Sequence, residues 1–562
     1  MAKFVIGLDF GTESVRALLV DASSGAINSM SVKAYPNGVI DSVLPGGNTP
    51  LPPDFALQDP ADWLDSMEIV VRAVIADSQV EPAQIIGIGV DFTSCTILPT
   101  KADGTPLCEI PSLRNNPHSW PKLWKHHAAW KQAEKINALA VARKEPWLPR
   151  YGGAIYSEWA MPKALQITEE APEIYRAADR LSEGADWIVW QLTGNLVRNS
   201  CGSGYKALWH KREGFPSVNY LSKLNPLFID LYTAKFAGTV RPPGTLAGRL
   251  TLRWAQRLGL EEGTPIATGI IDAHGAALGG GLTGPGILFL IMGTSTCHML
   301  MAEKEVQVKG ISGVVEDGIM PGLFGYEAGQ ASVGDIFAWF VENAVPQSYR
   351  EEASKQRRSL HDLLSDKAGE IYPGRTGLIA LDWWNGNRCT LGDADLSGMI
   401  VGYTLSTSPE QVYRALIEAT AFGTRAIIDA FTEQGLPVNV IMAGGGLTKN
   451  NCLMQIYADI LGYEIAVSGT EHASALGAAM LGAVAAGKKS GGYDSIREAV
   501  TAMAPPPAHT YRPLPDHVKV YNIIYQQYLR LYEYFGKENR VMKVMRRLRK
   551  GEIEAARNEA RS

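Results

Sequence analysis

The sequence has few cysteines, and none stands in a spacing that builds a disulfide framework or a zinc site. The six cysteines are Cys95, Cys108, Cys201, Cys297, Cys389 and Cys452. No two of them form C-x-x-C, so we expect a reducing compartment. The ten histidines contain no H-x-x-x-H pair, which argues against a histidine metal site on a helix.

Long apolar runs and a surplus of positive charge are also missing. No stretch approaches the roughly 18 uninterrupted apolar residues of a membrane span. Residues 1–10 predict a strand instead of a charged and then apolar leader. The net charge of −5 argues against a generally basic nucleic-acid binder. We therefore expect a cytoplasmic protein that binds neither membranes nor nucleic acid.

The length and composition are those of a large globular protein. The chain has 562 residues, of which 46% are hydrophobic and 20% are charged. Single hydrophobic cores stop growing at roughly 250 to 300 residues, so we expect at least two domains.

The stretch GLDFGTESVRALLVD, residues 7–21, predicts a hairpin. The composition of Phe4–Leu8 and Val15–Val20 predicts two short strands, and Gly11 between them predicts a turn. Backbone N–H groups and hydroxyls at such a tip suit a phosphate, and Asp9 at the end of the first strand suits Mg²⁺. The alternative is an ordinary turn, because Gly, Thr and Ser are common turn residues.

This hairpin has a second copy. FGTES at 10–14 recurs as MGTST at 292–296, and each copy lies between two apolar strands. A second pair, IIGIGVDFTS at 85–94 and VNVIMAGGGLTKN at 438–450, supports two related domains with different insertions. Two such domains facing each other would grip one polyphosphate between Asp9–Ser14 and Gly293–Thr296. The alternative is chance similarity of two short turns.

A glycine-rich loop follows the predicted strand Val438–Met442. Gly444, Gly445 and Gly446 lie between that strand and a predicted helix from Asn451 to Leu461. Backbone without side chains allows close approach of a base or an α-phosphate, so this loop is a nucleotide-site candidate. A tight strand-to-helix turn is the structural alternative.

Asp272 is the candidate catalytic base. It follows the predicted strand Ile266–Ile271 in ATGIIDAHGAALG, residues 267–279, and precedes a helix of small residues. A carboxylate beside a helix N-terminus is stabilised there. An N-cap aspartate has the same appearance in a sequence, so that alternative stays open.

Motifs along nearly all of the chain resemble the FGGY carbohydrate kinases, which belong to the actin, hexokinase and Hsp70 ATPase superfamily. They are GLDFGTESVRALLVD, GVDFTSCTILPT, SEWAMPKALQITEEAPEIY, DWIVWQLTG, GYKALWH, DAHGAALGGG, GYEAGQASVGDIFAWF, WWNGNR, AGGGLTKN and EHASALGAAMLG. The resemblance implies an α/β fold in which two ribonuclease H-like domains enclose a central cleft. We expect the first domain at 1–285, the second at 286–515 and a helical tail at 516–562.

The same resemblance implies residue roles. Asp272 matches the catalytic base and Asp9 the carboxylate that holds Mg²⁺ through water. The implied nucleotide contacts are Gly11, Thr12 and Arg16 in the first phosphate loop, Gly293 and Thr294 in the second, and Gly444, Gly445, Gly446 and Asn450 at the adenosine. The implied sugar contacts are Ser94, Lys206, Asp272 and Glu327. Without the resemblance, Lys206 would read as a surface charge and Glu327 as a partner for backbone near Gly329.

The implied reaction is phosphorylation of the ketopentose L-ribulose with ATP and Mg²⁺, a step of L-arabinose catabolism. One alternative is another sugar kinase of the family, acting on D-ribulose or xylulose. A second is a non-enzymatic ATP switch, because actin and Hsp70 share the core. The expected partners are ATP and the sugar, and the sequence leaves a homodimer open as an alternative to a monomer.

Two segments need separate interpretation. The family usually has an aromatic residue three positions after the lysine of MPK, whereas Gln166 follows Lys163 here. In the basic tail, Val541, Val544, Met545 and Leu548 have i, i+3, i+4 and i+7 spacing. That spacing predicts a docked helix whose Lys and Arg side chains face solvent, without a role in nucleic-acid binding.

Overall fold

Two seven-stranded sheets form the frame of the protein. The structure is a computed structural model that describes residues 2–48 and 50–560. Its strands are β1 (Phe4–Phe10), β2 (Ser14–Asp21), β3 (Ile27–Ala34), β4 (Ile85–Phe92), β5 (Ile97–Thr100), β6 (Arg180–Glu183), β7 (Val197–Asn199), β8 (Thr239–Arg241), β9 (Leu246–Arg249), β10 (Pro265–Ala267), β11 (Ile270–Ile271), β12 (Ile287–Met292), β13 (Thr296–Ala302), β14 (Gly313–Glu316), β15 (Phe324–Gln330), β16 (Ile379–Leu381), β17 (Met399–Val401), β18 (Val440–Gly444), β19 (Ile465–Val467) and β20 (His509–Tyr511).

Helices cover the sheets and form the tail. They are α1 (Pro60–Ser78), α2 (Trp130–Arg143), α3 (Ala160–Glu170), α4 (Pro172–Ala177), α5 (Gly184–Thr193), α6 (Ser200–Ala207), α7 (Val218–Leu224), α8 (Leu252–Leu258), α9 (Asp272–Gly279), α10 (Gly334–Asn343), α11 (Gln347–Lys355), α12 (Leu360–Gly369), α13 (Pro409–Glu433), α14 (Asn451–Leu461), α15 (Ala473–Ala486), α16 (Ile496–Met503), α17 (Pro515–Glu533), α18 (Val541–Arg549) and α19 (Ile553–Glu559). Within the described residues, none of these helices is long and apolar enough to cross a membrane.

The first sheet places three aspartates at one edge. Its order is β3-β2-β1-β4-β10-β9, and β11 also pairs with β4. In this register Asp9 lies opposite Arg16 on β2 and next to Asp91 on the parallel strand β4. Asp272 follows β11, which runs parallel to β4 beside Asp91. The carboxyl ends of parallel strands meet at one edge, where ligands bind in α/β sheets.

The second sheet repeats this design. Its order is β14-β15-β13-β12-β18-β19-β20. The strands β12 and β13 form the second hairpin, and β18 runs parallel to β12 as β4 runs parallel to β1. Both predicted repeats therefore correspond to equivalent elements of two similar sheets, and the two-domain α/β fold is confirmed.

The helices α9 and α15 join the two halves through small residues. A Cβ atom on Gly7 of β1 would lie 1.9 Å from the Ala475 carbonyl oxygen. One on Gly477 would lie 1.9 Å from the Gly275 carbonyl oxygen. These contacts require glycine, because any side chain would push the backbones apart. The helix α15 thus packs on the first sheet, although it lies within the predicted second domain, 286–515.

The predicted strand Ile266–Ile271 is divided into β10 and β11. Between them the Thr268 N–H donates to the Thr245 carbonyl at 2.7 Å, and Gly244 donates to the Thr268 carbonyl at 3.0 Å. The backbone therefore turns away from β4 for two residues. It returns to β4 directly before Asp272.

The tail helix α18 docks through a different face from the one predicted. Met542 is buried, whereas Val541, Met545 and Leu548 are exposed. Lys543 pairs with Asp393, and Arg546 pairs with Asp395 at 3.2 Å. The prediction of which face is buried was wrong. The loop that carries Asp393 and Asp395 forms ion pairs with the basic side of the helix, so that side lies against the protein.

Candidate active site

A cavity of about 590 Å³ opens between the first half of the molecule, residues 2–285, and the second half, residues 286–560. The first half lines it with Thr93, Ser94, Cys95, Trp124, His127, Tyr156, Glu158, Trp159, Lys206, Ile271, Asp272, Ala273 and His274. The second half lines it with Thr294, Ser295, Cys297, Met299, Ser312, Glu327, Ala331, Asp335, Asn385 and Arg388. The cavity is large enough for a small-molecule substrate and brings together all four predicted sugar-site residues.

Asp272 is the first residue of α9, and its carboxylate borders the cavity. The cap position itself is Ile271, and Asp272 Oδ1 accepts a hydrogen bond from the adjacent Ala273 N–H at 2.7 Å. Burial raises the pKa of Asp272 to about 7, and the charge of Asp9 adds to the rise. A carboxylate with a pKa near neutrality that borders a cavity suits proton abstraction better than helix capping.

Asp91 is a third carboxylate in this cluster, and its sequence position alone did not mark it as a site residue. It is fully buried, and neither of its oxygens accepts a hydrogen bond from the described residues. Burial raises its pKa well above the ordinary value, and the charges of Asp9 and Asp272 raise it further. The only signal in the sequence was an aspartate in the buried segment IIGIGVDFTS, next to Asp9 once the register is known.

Lys206 and Glu327 form a buried ion pair across the two halves. Lys206 Nζ lies 2.8 and 2.9 Å from the two carboxylate oxygens of Glu327. Burial alone would lower the pKa of Lys206, but the Glu327 carboxylate outweighs it and the pKa is raised. The pKa of Glu327 is lowered, because Lys206 outweighs the opposing effect of burial. A surface lysine is therefore excluded, and the Gly329 N–H is instead bonded to Cys389 Sγ.

His274 completes this side of the cavity as a neutral ring. Its Nε2 lies 3.6 Å from a Glu327 carboxylate oxygen, and its ring packs 4.4 Å from that of Tyr205. Burial lowers the pKa of His274 to about 4. The ring is thus uncharged near neutral pH and can exchange hydrogen bonds with a hydroxyl.

The first hairpin tip lies beside the aspartate cluster. Arg16 Nη1 donates to Asp9 Oδ2 at 2.7 Å, and the Gly11 N–H donates to the Ser14 carbonyl at 2.9 Å. Thr12 accepts from the Trp124 indole Nε1 at 3.0 Å through its hydroxyl, and from the Gln58 amide at 2.8 Å through its carbonyl. The tip is therefore held in place by a segment that also lines the cavity.

The second hairpin tip closes the opposite wall. The Gly293 N–H donates to the Ser295 carbonyl at 2.9 Å, and the Val333 N–H donates to the Thr294 carbonyl at 2.8 Å. Thr294 and Ser295 face the cavity. The nearest atom to a Cβ built on Gly293 lies 3.8 Å away, so the turn leaves room on that side.

The glycine loop divides into structural and open positions. Gly445 has φ +100°, and a Cβ there would lie 2.5 Å from the Met292 carbonyl oxygen, so this residue must be glycine. Gly446 has open space on its Cβ side. The Asn450 side chain caps α14 through the Leu453 N–H and donates to Ser365 at 2.7 Å. The oxygen and the nitrogen of the Asn450 amide are thus both hydrogen-bonded within the protein.

The Ser94 loop depends on Lys163. The Lys163 ammonium donates to the carbonyls of Cys95, Lys122 and Leu123 at 2.6, 3.2 and 2.8 Å. One buried side chain therefore ties the loop after Ser94 to a second segment of the cavity wall.

Gln166, the departure from the usual family pattern, has a structural role. Its amide oxygen lies 2.8 Å from His126 Nε2. Burial lowers the pKa of His126 well below its ordinary value, so the pair is a neutral hydrogen bond in the core. The Gln166 amide thus supplies the hydrogen-bond partner that the buried His126 needs.

Arg388 is a further cavity residue that was not predicted from the sequence. It belongs to WWNGNR, and its Nη2 lies 3.7 Å from a carboxylate oxygen of Glu158. Glu158 lies in the first half and Arg388 in the second, so the pair bridges the two halves at the cavity wall. The motif was visible in the sequence, but only the fold shows that Asn385 and Arg388 are the residues of it that line the cavity.

Comparison with known proteins agrees with this geometry. Residues 4–279 match the N-terminal domain of the FGGY family of carbohydrate kinases, and residues 288–486 match its C-terminal domain. A ribulokinase from Geobacillus thermodenitrificans is 52% identical over 543 residues, which cover 96% of both chains. A ribulokinase from Mycolicibacterium smegmatis is 47% identical over 549 residues, 97% of this chain and 96% of that one.

Solved structures share the fold. A xylulose kinase from Lactobacillus acidophilus has a TM-score of 0.78 at 17% identity, over 95% of this chain and 99% of that chain. Plasmodium falciparum glycerol kinase with ADP has a TM-score of 0.74 at 17% identity, over 94% and 98%. By sequence along nearly its whole length and by fold, this chain is a carbohydrate kinase and belongs to the FGGY family.

Proposed function

We propose that this kinase phosphorylates L-ribulose with ATP, giving L-ribulose 5-phosphate and ADP in L-arabinose catabolism. The observation that carries the proposal is the buried Lys206–Glu327 pair, which borders the same cavity as Asp272. The ribulokinases that are about half identical to this chain support the choice of sugar. The cavity offers one carboxylate base, one charge pair and the Ser94 hydroxyl to a polyhydroxylated ligand.

In the proposed reaction Asp272 accepts the proton of the sugar 5-hydroxyl. The hydroxyl oxygen attacks the γ-phosphorus of ATP, the bond from that phosphorus to the β,γ-bridging oxygen breaks, and ADP leaves. A base is most useful when its pKa lies near the working pH, and Asp272 meets that condition. Positioning then supplies most of the rate enhancement, because phosphoryl transfer needs little covalent help from the protein.

The remaining sugar hydroxyls would be held by the opposite wall. The Lys206 ammonium donates hydrogen bonds and the Glu327 carboxylate accepts them. A sugar that replaces part of the contact between the two groups must therefore offer an acceptor to Lys206 and a donor to Glu327. Ser94 at the loop fixed by Lys163 adds a hydroxyl that can donate or accept. Asp272 would thereby meet only the terminal hydroxyl of a correctly seated ketopentose.

The two hairpin tips would hold the ATP phosphates. The Thr12 hydroxyl and the Arg16 guanidinium offer donors on one side, and the Thr294 hydroxyl offers one on the other. Gly11 and Gly293, whose N–H groups bond within their own turns, let a phosphate approach the backbone closely. The open side of Gly446 leaves space for the nucleotide near the start of α14. Since Asn450 is bonded within the protein, we assign it to supporting this loop.

The aspartate cluster fits a magnesium ion bound through water. Among the described residues, no three His, Cys, Asp or Glu side chains converge closely enough to hold a metal ion directly. The unbonded oxygens of Asp91 and the nearby Asp9 carboxylate leave acceptors for water molecules on the metal. Mg²⁺ keeps several waters and takes one or two carboxylates plus substrate phosphates. When bound, it would neutralise charge on the phosphates during transfer.

ADP release in the presence and absence of each 2-ketopentose tests the proposal. We expect release to depend on sugar, with the highest kcat/KM for L-ribulose and slower turnover of D-ribulose and the xyluloses. The sugars differ only in hydroxyl placement, and one unpaired buried polar group costs about 1–3 kcal/mol. D-xylulose or glycerol as the best substrate would reject the sugar assignment and leave the kinase family intact. Sugar-independent hydrolysis would favour the ATP-switch alternative.

A further inference from the structure

Trp124 lies where the sugar cavity meets the first phosphate loop. Trp124 lines the cavity and is 37% exposed, and Lys125 Nζ lies 5.4 Å from the centre of its ring, so part of the ring is open to a bound ligand. Its indole N–H donates to the Thr12 hydroxyl at 3.0 Å. One side chain thus touches both substrate regions.

The backbone around Trp124 is fixed on two sides. The Leu123 N–H donates to the Ala56 carbonyl at 2.9 Å, and the Lys163 ammonium holds the Leu123 carbonyl at 2.8 Å. Gln58, two residues beyond Ala56, donates its side-chain amide to the Thr12 carbonyl. The Trp124 segment and the Thr12 turn therefore belong to one connected hydrogen-bonded unit.

The bond from Trp124 also sets what the Thr12 hydroxyl can do. A hydroxyl carries one donor and two acceptor positions. When one lone pair accepts the indole N–H, the hydroxyl proton must point elsewhere. In the described part of the chain no other group bonds the Thr12 hydroxyl, so its proton is left for a ligand.

We propose that Trp124 is a positioning residue that couples sugar binding to ATP binding by orienting the Thr12 hydroxyl. Sugar packed on the ring restricts its rotation, which holds the N–H on Thr12 and directs the Thr12 proton toward a phosphate oxygen. Without sugar the partly exposed ring is less restrained, so the hydrogen bond to Thr12 is formed for a smaller share of the time. Each substrate then strengthens the binding of the other by the same factor, because such coupling is reciprocal.

This inference depends on the proposed placement of ATP at Thr12, and a mutant cycle separates the two. The β,γ-imido analogue of ATP is titrated calorimetrically with Mg²⁺ into wild type, Trp124→Phe, Thr12→Val and the double variant, with and without saturating L-ribulose. Phenylalanine keeps an aromatic face for the sugar but has no N–H. Trp130→Phe is the matched control, since Trp130 is an exposed tryptophan on α2 that does not line the cavity.

In wild type and the Trp130→Phe control we expect sugar to tighten analogue binding by at least about three-fold, the effect of one modest hydrogen bond. In Trp124→Phe that factor should fall to near one, while analogue binding without sugar changes little. Adding Thr12→Val to Trp124→Phe should not change the factor further. A merely structural role would weaken analogue binding equally with and without sugar.

Three results would overturn the coupling: no sugar effect in wild type, an unchanged factor in Trp124→Phe, or independent losses in the two single variants. Unchanged analogue affinity in Thr12→Val would instead refute the placement of ATP at the first hairpin. If wild type does not bind L-ribulose, the sugar assignment fails. The same cycle is then measured with the 2-ketopentose that wild type phosphorylates, so the coupling is still decided.

Discussion

Replacing Glu327 by Gln would leave the Lys206 ammonium buried without its counter-ion. The wild-type contact has two short N–O distances, 2.8 and 2.9 Å, and both residues are less than one-tenth exposed. Removing one partner of such a buried pair costs about 3–5 kcal/mol, because the remaining charge stays desolvated. The Gln oxygen still accepts one hydrogen bond, so we expect a loss near the lower end, about 3 kcal/mol.

Urea unfolding near neutral pH measures this loss. Lys206→Met alone should also be destabilising, because it leaves the Glu327 carboxylate unpaired, whereas the double variant should recover most of the stability. Asp516→Asn is the control, since its pair with Lys519 is highly exposed and its loss should leave the urea midpoint nearly unchanged. A Glu327→Gln protein as stable as wild type would refute the assignment of an ionised buried pair.

The pH dependence of this loss has a defined sign. Lys206 holds the pKa of Glu327 below its unfolded value, so the charge pair stabilises the fold above that value. As pH falls through the lowered pKa, the wild-type protein loses this contribution, and the difference in unfolding free energy between wild type and Glu327→Gln becomes smaller.

The same substitution should also change substrate preference. Because the amide introduced by Glu327→Gln can both donate and accept, kcat/KM for L-ribulose should fall more than kcat/KM for the poorer ketopentoses. An equal decrease for all four sugars would contradict a role in recognition.

Asp272→Asn should lower kcat by about 10²- to 10⁴-fold and abolish the rise of kcat/KM with pH near the wild-type pKa of about 7, while ATP still binds in calorimetry; retention of most of the wild-type kcat would exclude Asp272 as the base. Gly446→Ala should weaken ATP binding with little change in urea stability, whereas Gly445→Ala should lose about 1–3 kcal/mol of stability through backbone strain; the reverse order would contradict the loop assignment. Met542→Ala should destabilise by about 2 kcal/mol or more and the exposed Met545→Ala by less than about 0.5 kcal/mol, and equal values in thermal unfolding would reject the docked face.

Much of the frame could be predicted because its signals are local. The apolar runs around Gly11 and Gly293 have strand composition, and a turn residue separates each pair of strands. The predicted helix Asn451–Leu461 agrees with α14 at both ends, since Asn450 is a strong capping residue. The hairpin motif and the buried-strand motif each occur twice in the sequence, and this repetition predicted the two similar sheets. Asp272 could be singled out for the same reason, because it lies at a strand-to-helix junction.

The parts that sequence reasoning missed depend on contacts between distant segments. Asp91 looked like one polar residue within a buried strand, and only its register beside Asp9 makes it part of a charged cluster. The tail helix had a regular apolar spacing, yet Lys543 and Arg546 meet acidic partners about 150 residues earlier in the chain. Periodicity shows that a helix has an apolar face and a polar face. It does not show which of the two faces finds partners in the rest of the protein.

The Trp124–Thr12 bond shows why coupling between two sites is harder to find than either site. The sequence separates the two residues by 112 positions, and each has an adequate local explanation, a packing tryptophan and a turn threonine. Their contact exists because Lys163 and Gln58 hold the intervening loops against the hairpin tip. A residue that lines the sugar cavity and bonds the proposed phosphate loop gives the enzyme a direct means to favour ATP binding when sugar is present. Such an arrangement would also limit hydrolysis of ATP by water, because the Thr12 hydroxyl would be held toward a phosphate oxygen most firmly once the acceptor has entered.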